Sequence, residues 1–136
     1  MWEHFHHEAD IGVRGRGDRA EQAFAEAAVA LTAVITDPET VQCRDTVTLA
    51  CSAPDLELLF VDWLNALVYE MATRRMLFRQ FEVRVEGTEL QASACGEAID
   101  ITRHRPATEI KGATYTQLQV FEDRQGEWRA QCVVDV

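Results

Sequence analysis

From Phe78 onward, apolar and polar positions alternate. Phe81, Val83 and Val85 are interleaved with charges, Gly87-Thr88 has the composition of a tight turn, and Leu90, Ala92 and Ala94 carry the alternation back to Gly96. A period of two places alternate side chains on opposite faces of a sheet, so this stretch predicts a β-hairpin. Upstream the period is helical. Ala23, Phe24, Ala27, Ala28, Leu31, Val34 and Ile35 form one apolar stripe, preceded by Asp18 with Glu21 three residues on and stopped by Thr36-Asp37-Pro38. The spacing predicts a helix that starts at Asp18. A second helix is predicted after Ser52-Ala53-Pro54, where Leu56, Leu59, Phe60, Trp63, Leu64, Leu67, Val68 and Met71 make a face broad enough to lie against a sheet, with Trp63 as its anchor. Val41 to Cys51 reads as a strand, and Ile11 and Val13, among Gly12, Gly15 and Gly17, as a short bent one. Ala113 to Phe121 and Glu127 to Val134 are predicted to pair through a turn near Asp123 to Gly126, with Arg103 to Pro106 in the connection before them. The expected fold class is α+β: a single domain over residues 1–136, with two helices packed on a mainly antiparallel β-sheet.

Composition agrees. No Pro/Gly/Ser-rich linker or repeat divides the 136 residues, a length sufficient for one core without added staples. No run approaches the roughly 20 apolar residues that a membrane helix requires, and Met1-Trp2-Glu3-His4 lacks a basic leader, so a cytoplasmic address without membrane association is expected. Cys43, Cys51, Cys95 and Cys132 are scattered without metal-ligand spacing and read as small buried hydrophobes in a reducing compartment. The net charge of -10 repels phosphate backbones, and direct nucleic-acid binding is expected to be weak or absent. The basic clusters Arg14/Arg16/Arg19, Arg74-Arg75 with Arg79, and Arg103 to Arg105 read as solvated faces.

Three distant polar segments carry the chemistry: His7-Glu8-Ala9-Asp10, Glu109-Ile110-Lys111-Gly112-Ala113-Thr114-Tyr115, and Val134-Asp135-Val136. Together they resemble the archease family, in which the first usually reads His-Thr-Ala-Asp, the second Glu-Ile/Val-Lys-Ala-x-Thr-Tyr, and the chain closes on Asp and an aliphatic residue. Thr36-Asp37, Leu58-Leu59 through Asn65, and Gly96-Glu97 also fall where that family has them, so the resemblance spans nearly the whole chain. Three departures stand out: Glu8 for Thr, Gly112 for Ala, and Thr116 where His often follows Thr-Tyr.

The resemblance implies a metal site containing Asp10 and Asp135, with Asp37 as a further candidate and Val136 able to add its carbonyl or terminal carboxylate. Carboxylates and carbonyls are hard oxygen donors suited to a divalent ion, Ca²⁺ or Mg²⁺. Without the resemblance, Asp135 reads as a surface charge and Asp37 as the helix breaker beside Pro38. Lys111 is implied to be required for activity; by itself it reads as a snorkelling lysine at a strand start. His7, Glu8 and His104 are candidate supports around the metal. A site made of His4, His6 and His7 is geometrically awkward, because on a strand the first two point to one face and the third to the other.

As a functional expectation, the resemblance implies a non-catalytic accessory protein for an RtcB-type RNA ligase. Such a ligase guanylates an active-site histidine with GTP and Mn²⁺ and joins ends bearing a 2′,3′-cyclic or 3′-phosphate in tRNA splicing or RNA repair. The accessory protein promotes guanylation and multiple turnover. Two rival readings are a small metal-dependent phosphoester hydrolase, for which the chain offers no recognised nucleophile motif, and a passive acidic interaction domain. Oligomeric state is not specified by the sequence.

Overall fold

The computed structural model describes residues 1–136. Strands β1 (Trp2–His7) and β2 (Asp10–Gly17) form a hairpin around Glu8-Ala9; helix α1 (Ala20–Ile35) and the 3-10 turn Pro38–Thr40 follow. Strand β3 (Asp45–Ser52), helix α2 (Leu56–Arg74), strands β4 (Met76–Glu86) and β5 (Glu89–Ala98), and the short helix α3 (Ile101–His104) come next. Strands β6 (Gly112–Ala113), β7 (Gln119–Glu122) and β8 (Trp128–Asp135) complete the chain. Every strand pair is antiparallel, and the class is α+β as expected, but the strands divide into two sheets. One has the order β1-β2-β8-β6, with β7 also on β8; the other is β3-β5-β4.

The apolar stripes become the core. Trp63 and Phe24 are fully buried, and the indole Nε1 of Trp63 donates to the Phe24 carbonyl at 3.0 Å, which satisfies the one polar atom of the ring. Helix α1 lies close on β2 because Gly15 faces Ala23 and Ala27: a Cβ at Gly15 would overlap the Ala23 carbonyl. The buried hydroxyl of Thr32 donates to the Phe78 carbonyl at 2.8 Å, fastening α1 to β4 and so one sheet to the other. No helix is long and apolar enough to cross a membrane.

Three local expectations change. Asp18 does not cap α1; the cap position is Arg19 without a side-chain bond, and the Gln22 carboxamide reaches back to accept from the Asp18 amide at 2.7 Å. The predicted strand from Ala113 to Phe121 is broken into β6 and β7. Thr114 turns the chain out of the ladder, its hydroxyl donating to the Val133 carbonyl and accepting from the Thr116 amide. Gln117, at φ 56°, brings it back, and Val133 N donates to Thr116 O across the excursion. Finally, the cysteines are not all buried thiols. Cys43 is exposed and forms a disulfide with Cys95 on β5, 52 positions away, with Cα atoms 5.1 Å apart. Sequence spacing did not reveal the pair because β3 and β5 are brought together only by the sheet register, which sets Thr46 opposite Cys95.

Closing a loop of this length restricts the unfolded chain, so reduction, or Cys43→Ser, is expected to lower stability by about 2–4 kcal/mol. Urea melts with and without a reductant test this, and coincident melts would remove the expected contribution. Cys132 is fully buried and its thiol is pushed up to about 12 by desolvation, partly opposed by the Thr114 backbone; it should react with thiol reagents only on unfolding.

Candidate functional site

Strand register builds a polar row at one end of the larger sheet. His7 pairs with Asp10 across β1 and β2, while the β2–β8 ladder runs to Ile11 opposite Val134, so its next step sets Asp10 opposite Asp135. Asp135 pairs in turn with Gly112 of β6. Directly opposed residues share a face, and neighbouring strands lie about 4.8 Å apart. His7, Asp10 and Asp135, drawn from the two ends of the sequence, are therefore aligned. The Lys111 amide donates to the Asp135 carbonyl at 2.7 Å, which brings the third polar segment to the same end.

The individual residues differ in how they are held. His7 is half-buried, and its Nδ1 is a buried atom without a hydrogen-bond partner. Glu8 occupies the β1–β2 turn at φ 54°, a left-handed conformation that an unbranched acidic residue adopts at a cost of order 1 kcal/mol. Its side chain is exposed, beside the row rather than within it. Lys111 is exposed and enters none of the ion pairs of the fold. It is also the only lysine of the chain; every other side-chain cation is arginine. Val136 is half-buried and directly follows Asp135.

Two sequence candidates are committed elsewhere. Asp37 caps the 3-10 turn, its Oδ1 accepting from the Glu39 amide at 3.0 Å and its carbonyl from the Thr40 hydroxyl at 2.7 Å. That is the breaker role its position beside Pro38 suggests. His104 is buried with both ring nitrogens occupied: Nδ1 accepts from the Asp100 amide at 2.8 Å, and Nε2 lies 3.0 Å from the Glu97 carboxylate. The ring supports α3, and neither nitrogen is left to orient Asp10. No three His, Cys, Asp or Glu side chains converge with metal-holding geometry. Asp10 and Asp135 supply carboxylate oxygens, the donor type that a hard divalent cation prefers, whereas the orphaned His7 nitrogen in their row is not a hard donor.

The network around Glu97 is the feature that sequence reasoning missed. Glu97 is 4% exposed, yet it accepts from both terminal nitrogens of Arg103 at 2.8 and 2.7 Å, from the Gln42 amide at 2.7 Å, and pairs with His104. The Arg103 guanidinium is the main cause that holds its carboxyl at about 2, with the Gln42 amide and His104 adding to it against the cost of burial. This cluster roots the connection that leads to Lys111. From it the His104 carbonyl accepts the Thr36 hydroxyl, and Ala107 N donates to Ile35 O at 2.8 Å. The signal was present in Gly96-Glu97 followed by Asp100 and Arg103-His104, but only burial separates such a cluster from surface charge.

The outer face of the larger sheet consumes arginines. Glu3 pairs with Arg14 at 3.1 Å and Arg16 at 2.6 Å; Arg129 lies 3.4 Å from both Glu127 and Asp123. The Arg14 guanidinium also stacks 4.7 Å over Phe5. Arg14 and Arg16 are half-buried and neutralised, unlike the solvated face expected of them, while Arg19 is exposed as expected.

The chain matches the model of the archease protein family over residues 2–136. It is 38% identical to the archease of Pyrococcus abyssi and 37% identical to that of Thermococcus gammatolerans, in each case over 99% of this chain and 98% of the relative. Among solved structures, that of protein 1598 of Methanobacterium thermoautotrophicum superposes with a TM-score of 0.86 at 29% identity, covering 99% of this chain and 98% of that one. An archease of Thermotoga maritima, described as a possible chaperone, shares the fold at a TM-score of 0.61 and 20% identity, covering 97% of this chain and 94% of that one.

Proposed function

The chain belongs to the archease family, and on that premise we propose that it is a non-catalytic activator of an RtcB-type RNA ligase in the cytoplasm, acting in tRNA splicing or RNA repair. The observation that carries the reading is the convergence of the three family segments on one end of the sheet, joined by the Asp10–Asp135 register and the Lys111–Asp135 backbone bond. Segments separated by about a hundred residues in sequence gain a shared surface only through this fold.

The physical roles follow from the donors. Asp10, Asp135 and the Val136 carbonyl would hold a hard divalent cation, Ca²⁺ or Mg²⁺, with His7 beside them; such an ion would neutralise the paired carboxylates. Lys111 offers a compact, mobile ammonium with no internal partner, suited to a phosphate or an acidic group of the ligase. Presented at the mouth of the ligase active site, it favours the guanylation-competent state by binding that state better than the alternative. The acidic surface and the internally paired arginines favour a protein partner over RNA itself.

The test is multiple-turnover ligation by an RtcB-type ligase with GTP and Mn²⁺, following the ligase-guanylate intermediate with and without this protein. A substoichiometric amount is expected to speed guanylation and sustain turnover. A folded protein that changes neither step with an active ligase would overturn the reading, and phosphoester hydrolysis by the protein alone would favour a hydrolase.

A further inference from the structure

We propose that Asn65, on helix α2, is a positioning residue for Lys111, acting as a latch between the helix and strand β6. The proposal rests on the activator reading for its functional consequence, and on geometry for the latch itself. Its Oδ1 accepts a hydrogen bond from the Ala113 amide at 2.8 Å. This is the one hydrogen bond between α2 and the segment that carries Lys111.

Strand β6 needs such a bond. It is two residues long, pairing Gly112 with Asp135 and Ala113 with Val134, and it has β8 on one side only. Beyond Ala113 the Thr114 amide and hydroxyl both donate to the Val133 carbonyl before the chain leaves the ladder, so β6 is held to β8 along one edge while its other edge has no neighbouring strand. A strand this short is held by few ladder bonds, and the Ala113 amide on its free edge would lose its partner without a side chain to receive it. Asn65 receives it. The carboxamide sits so close that a Cβ built on Gly112 would lie 3.2 Å from Oδ1, so residue 112 and the latch are in contact.

Lys111 is thereby held from both sides. Ile110, the residue before it, is 5% exposed and anchored in the core. Ala113, two residues after it, is tied to Asn65. Between these points the Lys111 amide makes its bond to the Asp135 carbonyl, the contact that joins the lysine segment to the Asp10–Asp135 row. Releasing Asn65 leaves Ile110 and the bonds to β8 in place and loosens the outer edge of β6. The exposed ammonium then samples a wider volume, while the carboxylate row, built by β2 and β8, is unchanged. Misplacing a functional group by about 1 Å is enough to reduce its effect by one to two orders of magnitude.

Three variants of the full chain separate this role from a structural one. Asn65→Leu keeps the volume and removes the acceptor; Asn65→Ser is too short to reach; Asn65→Asp retains an oxygen in the same place. Amide exchange at Ala113, ligase binding and the maximal stimulation of multiple-turnover ligation are measured for each. In the Leu and Ser variants, exchange at Ala113 is expected to accelerate about tenfold, the scale of one lost hydrogen bond. Maximal stimulation should fall about tenfold, ligase affinity should stay within about threefold of wild type, and Asn65→Asp should recover both exchange protection and stimulation. Wild-type stimulation by the Ser variant, or stimulation lost in parallel with affinity in all three, overturns the proposal. If Leu does not fold, Ser and Asp decide it. Should the unsubstituted protein leave the ligase unaffected, the activator reading fails, while exchange at Ala113 still decides the latch.

Discussion

Lys111→Ala is expected to abolish most stimulation of the ligase, on the order of a hundredfold in the guanylation rate, while leaving the protein folded and bound. The size follows from the effect of removing one preorganised donor aimed at developing charge, about two to three orders of magnitude. Folding is unaffected because the side chain is exposed and takes part in no ion pair of the chain; the bond to Asp135 is made by the backbone and survives truncation. Lys111→Arg keeps the charge but replaces a compact ammonium by a planar fork, and should recover only part of the activity. As the chain has no other lysine, chemistry offers a second route. Acetylation removes the charge and should reproduce the alanine phenotype, whereas reductive methylation keeps it and should not. The α-amino group reacts too, and the Arg variant treated in parallel isolates its contribution. Full stimulation by Lys111→Ala would falsify the role assigned to this side chain.

Glu97→Ala is expected to cost about 3 kcal/mol, and roughly 10 °C in Tm for a domain of this size. The cost lies near the lower end for breaking a buried pair because Arg103, about one-third exposed, can regain water once its partner is gone. The buried His104 ring has no such recourse. Glu97 also predicts a pH dependence. Its folded value of about 2 lies below the ordinary 4.5, so its contribution is complete above about pH 4.5 and is lost as the pH falls toward 2. Thermal melts should therefore lose stability through that window, and Glu97→Gln, with no charge to lose there, should show a flatter profile. Parallel profiles for the two proteins would mean that Glu97 is not held low. Because the same cluster roots the connection running to Lys111, the variant should also lose stimulation in conditions where it is still folded.

Much of the architecture was legible in the chain because local rules and tertiary demands agree. The two long helices, the β4–β5 hairpin with Gly87-Thr88 at its tip and the pairing of the last strands follow from periodicity and turn chemistry. These patterns record which face of each element must be buried. Trp63 is the anchor its stripe implied. The three segments that resemble the family are distant in sequence, and the β2–β8 register together with the Lys111–Asp135 backbone bond brings Asp10, Lys111 and Asp135 to one end of the sheet.

What the sequence by itself determined, then, is the amphipathic pattern of each element and the residue types available for chemistry. Only the tertiary structure decided which of them meet. It enclosed His104 with Glu97, joined Cys43 to Cys95 and set Asn65 against β6. The strands were also divided between two sheets, and the strand expected from Ala113 to Phe121 was broken at Thr114. Each of these outcomes depends on a partner far away in the chain, or on a polar side chain finding a buried donor. Periodicity records only burial along a single element, so long-range register and polar satisfaction lie outside what it can express.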